Sequence, residues 1–487
     1  MTQPGGWFTK LPVDSRADSN FPHFTLGLTM NSSGSVEKEA TVVSVQSTND
    51  DATPDPTKNK IQNLPFASQF LDGHEAATKA RRIYLKILVS RTVIIIVAMF
   101  AVFSIYWGAV SHVPARRLEG WIVDFDGDRI GRTVVGELSG LASPALAWTV
   151  RPASDFPNGV SDLVDAVVEE RCWAAVSALK VNVGSTTRLD AAVAGRSGAS
   201  YDATAAITAF ALEARNENAF RTLLRPTIEG WLQNITHDFA LEQFTALASN
   251  SSINLASIAP EVLVRPIYYT LDNLRPFDVP VATAVTFVGL IYLLILSFFV
   301  VNAAIMARNI SGLERQLSLG SLVRVRVVTA VSIYLVLSCF YSLLTLAFKM
   351  PFNRKFGHAG FVIFWMLSWF GMMAAGLALE SMITLLTVKY VQIFLILWII
   401  SNVAVSLYPI DALPKVYAYG HAAPFYQISR AVRTIVFRTK NEVGLNFGIL
   451  FAWIIVSCIT LPVFQWYRRR EDVRAWRKLQ EEAAATS

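Results

Sequence analysis

One uncharged apolar run, Thr92–Val110, stands alone in the first part of the chain. Five more follow only after a polar stretch of about 170 residues: Val279–Ala307, Val327–Phe348, Ala359–Leu379, Tyr390–Ile410 and Val443–Tyr467. A hydrocarbon layer of roughly 30 Å takes about 20 helical residues to cross, and every one of these runs is long enough. Transmembrane strands would alternate over about ten residues, and these runs do not alternate. Only 16% of the 487 residues are charged, against about 25% in an ordinary soluble domain. The pattern predicts an α-helical polytopic membrane protein with six transmembrane helices, one plus five. A domain is expected between the first helix and the second.

The first run begins too far along the chain, and is too long, for a cleaved signal peptide. Thr92–Val110 therefore reads as a retained signal anchor. Lys79, Arg81, Arg82, Lys86 and Arg91 precede it, and only Arg116 and Arg117 follow closely. That asymmetry predicts a cytoplasmic N-terminus, and six crossings return the C-terminus to the same side. The basic tail 468–487 and the loop carrying Arg308, Arg315, Arg324 and Arg326 agree. Lys349, Arg354, Lys355 and the cluster from Lys415 to Lys440 then lie on the outside and need another explanation. In this orientation the inserted segment is extracytoplasmic, and its sequons at Asn234 and Asn250 are candidate glycosylation sites. Those at Asn31 and Asn309 would face the cytoplasm.

Residues 1–78, rich in Ser, Thr, Asp, Asn and Pro, read as a disordered cytoplasmic tail. Residues 79–110 comprise a basic juxtamembrane segment and the first helix. The extracytoplasmic domain, 111–278, is of ordinary size and its pattern is mixed α/β. Gly120–Asp124 and Thr133–Glu137 flank the turn signal Asp126-Gly127-Asp128 and suggest a hairpin. Val160–Glu170 has helical spacing and Trp173–Val183 reads as a strand. Ala203–Ala248 reads as helix broken near Pro226, and Pro260, Pro266, Pro276 and Pro280 punctuate an extended lead into the five-helix membrane domain, 279–467.

The last outside loop is separately informative. After Pro409, Pro414 and Pro424, the stretch Phe425–Lys440 is amphipathic: Phe425, Ile428, Val432, Ile435 and Val436 share one face. Arg430 and Arg433 lie opposite, with Arg438 at the edge. The favoured reading is a surface helix whose Arg430, Arg433 and Arg438 contact lipid phosphates. The alternative is a helix packed onto the inserted domain.

Sequence signals of catalysis are scarce. Gly131 to Gly136 has P-loop glycine spacing, but Glu137 stands where the phosphate-binding lysine belongs. The Asp124–Asp128 segment resembles the start of a calcium loop, yet Val135 occupies the place of the bidentate glutamate. No His pair has metal-ligand spacing and no G-x-S-x-G elbow occurs; Gly195 to Gly198 falls one position short. We expect no enzyme activity, no metal, no cofactor and no nucleic-acid partner. Cys172 is the one cysteine of the inserted segment, so that domain must rest on its apolar core, and Cys172 is expected to pack as a small apolar residue.

Within the spans, charge is rare. Glu380 follows 21 uncharged residues and precedes eight more. A carboxylate there is costly unless paired, hydrated or protonated. It is either a substrate or proton site in a cavity, or an Arg-paired structural residue near the cytoplasmic edge, the commoner case. Asn302 and Asn402 are further intramembrane candidates, as ligands or interhelical hydrogen bonders, and Gly371, Ala375 and Gly376 allow close helix contact.

Several local stretches, in order, resemble the fungal nitrosoguanidine-resistance family. They are Tyr106-Trp107-Gly108 through Trp121–Asp126, Val279–Ala307 with Pro280, Gly289 and Tyr292, Ala423–Phe437, and Asn441 through Trp453. The resemblance covers about residues 90–470. It implies a fungal plasma-membrane or endomembrane protein linked to resistance against toxic compounds, with a membrane part similar to ABC-2-type exporter permeases but without an ATPase domain. The leading expectation is thus an exporter-permease-type protein acting in drug resistance or lipid distribution, driven by a separate ATPase or a gradient. Like its relatives it would enclose a path as a homodimer. The rival expectation is a non-transporting regulator or scaffold that alters bilayer composition or a partner transporter and whose outside domain binds partner proteins.

Overall fold

The computed structural model describes residues 70, 71, 73, 75–178, 180, 181, 183–195, 201–250, 255 and 258–486. Most of the expected tail 1–78, with its sequon at Asn31, and most of the Gly195–Gly198 loop lie outside these, while residues 75–78, read as tail, open a helix. Among the described residues, five helical stretches are long and apolar enough to cross a membrane: Glu75–Val110, Pro280–Ile310, Leu319–Ala347, Ala359–Leu386 and Val443–Glu482. A sixth, Tyr390–Ala404, is apolar but shorter. We label the helices α1 (Glu75–Val110), α2 (Arg129–Gly140), α3 (Val160–Val168), α4 (Ser185–Val193), α5 (Arg225–Ser249), α6 (Gly289–Ile310), α7 (Leu319–Ala347), α8 (Ala359–Ala404), α9 (Pro424–Phe437) and α10 (Val443–Thr486).

The long stretch α8 is a folded-back pair of arms. Phe370 packs against Phe447 at 5.2 Å between ring centroids, and Trp398 packs against Trp453 at 5.0 Å. In a straight helix Phe370 and Trp398 would stand about 42 Å apart, whereas residues 447 and 453 of α10 are separated by only about 9 Å. The chain therefore reverses between the two aromatic contacts. The arms Ala359–Leu386 and Tyr390–Ala404 run side by side along α10.

The two ends of this helical body differ. The inserted domain adjoins one end, where Asp278 pairs with Arg354 at 2.7 Å. There α1 also closes onto the rest: Ala109 is buried with Ala404, Val405 and Leu413, and the Tyr417 hydroxyl donates to the Ile105 carbonyl. Gly108 leaves the room for Tyr417, since a Cβ would lie 2.7 Å from its hydroxyl. The helical core is filled by Tyr334, Phe364, Leu367 and Met372. Gly376 admits Tyr334, and Gly371 admits Ile428 of α9, as the small residues of that span suggested.

The inserted domain is built on a five-stranded mixed sheet. Its strands are β1 (Leu118–Asp124), β2 (Leu146–Arg151), β3 (Ala174–Ala178), β4 (Ile207–Ala211) and β5 (Tyr269–Asn273), in the order β2-β1-β3-β4-β5. β1 is parallel to both β2 and β3, β3 is antiparallel to β4, and β4 is parallel to β5. The central strands β3 and β4 are buried at every position, as a sheet covered on both faces requires. The α/β class matches the sequence pattern, but two local expectations fail. Thr133–Glu137 lies in α2, because Asp128 caps the helix by accepting from the Arg129 amide and Ile130, Val134 and Leu138 form a helical stripe. Residues 207–211 form a strand inside the segment read as helix, since a continuously buried apolar run hides its period. Near Pro226 the regular helix is interrupted, as expected: Phe220–Leu224 form a π turn that runs directly into α5, and Pro226 is the second residue after it.

The Asp124–Asp128 segment is a turn. Asp124 Oδ1 accepts from the amides of Asp126 and Gly127, and Gly127 takes φ +71°. Cys172 is buried, and burial pushes its thiol up to about 12.

Candidate functional site

Two polar constellations stand at opposite ends of the helical body. The first gathers around Glu380. Arg308 lies in the last turn of α6 and Arg326 near the start of α7, so the short loop between these helices brings both guanidiniums to one level. Glu380 Oε1 accepts from Arg308 at 2.9 Å and from Arg326 at 2.7 Å. Arg308 also holds Glu314 at 3.0 Å, and Arg326 donates to Gln465 of α10, to Thr384 and to the Glu380 carbonyl. Glu380, Arg308 and Arg326 are each at most 5% exposed. Removing Glu380 leaves Arg326 buried without the carboxylate it pairs with, which typically costs about 3–5 kcal/mol, whereas removing either arginine leaves Glu380 the other.

This hub ties four helices together at the end away from the inserted domain. Beside it opens a cavity of about 220 Å3 lined by Arg308, Glu314, Arg326, Thr384, Gln465 and Arg468. Of the two readings of Glu380, the geometry shows the Arg-paired one, although the pair adjoins a polar cavity. Asn302 does not join it; its side-chain amide donates to the Phe298 carbonyl of its own helix. Asn402 has an interhelical role, accepting from the Phe425 amide in the first turn of α9.

The second constellation surrounds α9. Twelve of its fourteen residues are buried, so it is a wedge between the inserted domain and the helical body and not a helix lying on a membrane surface. Arg430 pairs with Glu170 at 2.9 Å and Glu442 at 2.7 Å; Arg433 pairs with Glu217 at 2.5 Å and donates to the Ala214 carbonyl at 3.0 Å. The expected lipid contacts of Arg430 and Arg433 are thereby corrected: acids of the inserted domain neutralise them, and the packed alternative holds. Arg438 is exposed; it ends α9 at φ +61° and donates to the Arg354 carbonyl.

Burial alone would raise the Glu217 carboxyl, yet Arg433 overcomes it and holds the group below its ordinary value. Glu442 is likewise held low against burial, by Lys440 and Arg430. Glu170 reaches Arg430 from a strained position. It follows α3 at φ +60°, where its amide bonds the Val167 carbonyl in a helix-ending turn usually given to glycine. Sequence reasoning missed Glu170, Arg215 and Glu217. Only the excess of outside basic charge near Arg430 pointed toward acidic partners. Asn234, on α5, and Asn250, at its end, are both exposed.

A family model described as a protein of unknown function, DUF3533, matches residues 91–459. The chain belongs to this family. It is also 24% identical over 465 residues, 88% of each chain, to an uncharacterized endoplasmic reticulum membrane protein of Saccharomyces cerevisiae. No solved structure matches it. The chain is a multi-pass helical membrane protein, and the family's matched region takes in the wedge, the inserted domain and the hub except for Gln465.

Proposed function

We propose that this protein is an exporter-permease-type unit of a fungal endomembrane or plasma membrane. It acts in resistance to toxic compounds or in lipid distribution and carries neither catalytic centre nor ATPase of its own. The observation that carries this reading is the wedge α9, which joins the inserted domain to the helical body through Arg430 and Arg433, opposite a charged hub beside an open cavity. A unit held at both ends by ion pairs can change shape at either end by exchanging them. In this reading the shorter arm Tyr390–Ala404 is a sixth crossing, so that both termini share one side, which the basic flank of the first span makes the cytoplasm, and the inserted domain faces the other. The resemblance to nitrosoguanidine-resistance proteins and ABC-2-type permeases supports the reading, and the endoplasmic reticulum location in the relative's name supports an endomembrane site.

One observation favours the second reading, a regulator or scaffold whose outside domain binds partner proteins: the helical core around Tyr334, Phe364 and Leu367 is densely packed. A path through a single copy has no room there, so transport requires a homodimer, a partner ATPase or a partner transporter. Reconstitution decides between them. Purified protein in liposomes is expected to move a fluorescent amphiphile or labelled lipid, alone or under a pH gradient. Inert liposomes that gain activity only when a co-purifying partner is added would establish the regulator instead.

A further inference from the structure

At the end of the helical body that adjoins the inserted domain, three arginines from separate segments meet around one open recess. Arg275 follows β5, Arg354 lies in the loop between α7 and α8, and Arg438 ends α9. Arg275 Nε donates to the Arg438 carbonyl at 3.3 Å, and Arg438 Nε donates to the Arg354 carbonyl. Arg354 in turn grips Asp278 with both terminal nitrogens, at 2.7 and 2.9 Å. The recess between them has a volume of about 290 Å3 and is lined by the three arginines, Pro276 and Phe437. Phe437 is buried and stacks on Phe277 at 4.6 Å between ring centroids, which fixes that wall.

The positive charge here is uncompensated. Asp278 is engaged by Arg354, and among the described residues neither Arg275 nor Arg438 forms an ion pair. Acids on adjoining segments are spent elsewhere: Glu213, which accepts from the Phe277 amide, pairs with Arg221, and Glu442 pairs with Arg430 and Lys440. Three guanidiniums against one carboxylate leave a surplus of two charges. With each Nε tied to a carbonyl, the planes of Arg275 and Arg438 are fixed, and among the described residues no hydrogen bond occupies the terminal nitrogens of Arg438. Such a fork fits a pair of anionic oxygens. Water would satisfy the free N–H groups, but it gives no reason for like charges to converge, nor for Arg438 to hold a left-handed position, φ +61°, that favours glycine. The level is that of lipid headgroups, a layer about 5–8 Å deep on each side of the hydrocarbon. Asp278 immediately precedes the apolar run that opens at Val279, and Lys349 immediately follows the run that closes at Phe348. Arg354 reaches back to Asp278, which holds the recess at that edge.

We propose that this recess binds the phosphate of an anionic phospholipid from the leaflet facing the inserted domain. Of the three arginines expected at lipid phosphates, Arg438 alone keeps that role, and Arg275 and Arg354 join it. The site stands whichever way the chain is inserted and whether or not the protein transports. A lipid held by the folded state raises the melting midpoint by mass action. Purified full-length protein in a neutral detergent is melted while phosphatidic acid, phosphatidylcholine of the same acyl chains, or inorganic phosphate is titrated in at constant ionic strength. Phosphatidic acid is expected to raise the midpoint saturably by several degrees. Phosphatidylcholine, whose phosphate carries its own cation, is expected to leave it unchanged. Arg438→Gly suits the left-handed backbone, so its lipid-free midpoint is expected to hold or rise, while the half-saturating concentration of phosphatidic acid rises about tenfold or more. A merely structural Arg438 would show the reverse, a lower midpoint and an unchanged lipid response. Arg275→Gln reads the same weakening should the glycine variant not fold. An equal response to the two lipids, or an unchanged half-saturating concentration in the folded variants, overturns the proposal. An equal increment from inorganic phosphate at the same concentration would make the ligand a free anion and overturns the lipid assignment.

Discussion

At the level of single residues, Glu380 gives the clearest lesson. Its carboxylate is matched by two buried guanidiniums at one oxygen. Glu380→Gln is therefore expected to destabilise the protein by about 3–5 kcal/mol, chiefly by leaving Arg326 without its carboxylate while Arg308 keeps Glu314, regardless of any role in transport. Replacing Arg308, Arg326 and Glu380 together by methionine removes the charges as a set and is expected to recover most of that loss. If the triple variant melts near the wild-type midpoint but no longer supports resistance or transport, the hub is functional; retained activity would make it only a clamp. Glu170 tests the opposite end. Glycine there relieves a left-handed backbone costing about 1 kcal/mol, but it strips Arg215 and Arg430 of a carboxylate. Glu170→Gly is expected to lower the midpoint, and a rise would show that the ion pair contributes nothing.

The acid dependence follows from the same joint. Glu217 and Glu442 have native values depressed below the ordinary 4.5. A depressed carboxylate contributes stability that is complete above its unfolded value and disappears as pH falls through the native one. Melting midpoints are expected to hold down to about pH 5 and to drop below it. Glu217→Gln should start lower and flatten that acid limb; a limb of unchanged steepness would remove Glu217 from the account.

At the level of elements, legibility in the sequence tracks whether an element's partner is water, lipid or protein. The apolar runs were readable because lipid demands that they be unbroken, and each overlaps a helix, but the helices do not stop where the runs do: α1 already begins at Glu75 and α10 continues to Thr486, because polar residues can carry a helix on beyond its apolar stretch. The turn at Asp126–Asp128 was readable from its local chemistry. Thr133–Glu137 was not, because β-branched residues that favour strands here line the buried stripe of α2. The amphipathicity of α9 was correctly seen, but its basic face meets Glu170, Glu217 and Glu442 from distant parts of the chain. No periodicity within α9 can distinguish a carboxylate from a lipid phosphate. Nor did the run 390–410 reveal that its span doubles back against the preceding one.

The close approach of α8 to its neighbours offers a test of this packing. A Cβ on Gly376 would lie 2.2 Å from the Tyr334 hydroxyl, and Tyr334 is fully buried with its hydroxyl reaching the Ser297 carbonyl. Gly376→Ala is thus expected to cost about 1–3 kcal/mol by overpacking, despite alanine's better helix propensity. Gly136→Ala, in α2 of the inserted domain with open space about its Cβ position, is expected to be neutral or slightly stabilising. Equal melting shifts for the two would contradict the packing of α7 on α8.

At the level of the whole molecule, the two constellations acquire meaning only once the inserted domain is assigned a side. Arg308, Arg315, Arg324 and Arg326 cluster about the loop between α6 and α7, and Arg468, Arg469 and Arg470 stand on α10 near the hub. Arg308 and Arg326 are consumed by the ion pairs of the hub just as Arg430 and Arg433 are by those of the joint, which leaves Arg315, Arg324 and the arginines of α10 to mark that end as basic. The exception to the positive-inside pattern thereby shrinks, since charges neutralised within the fold face neither leaflet. The proposed orientation then predicts that Asn234 and Asn250, both exposed, are glycosylated in a eukaryotic host. Endoglycosidase treatment should increase gel mobility in one or two steps, each abolished by Asn234→Gln or Asn250→Gln. A sequon engineered into the exposed segment around Arg474 on the tail should remain unmodified. Modification of the tail together with a silent inserted domain would invert the orientation, putting the hub outside and the arginine-lined joint in the cytoplasm.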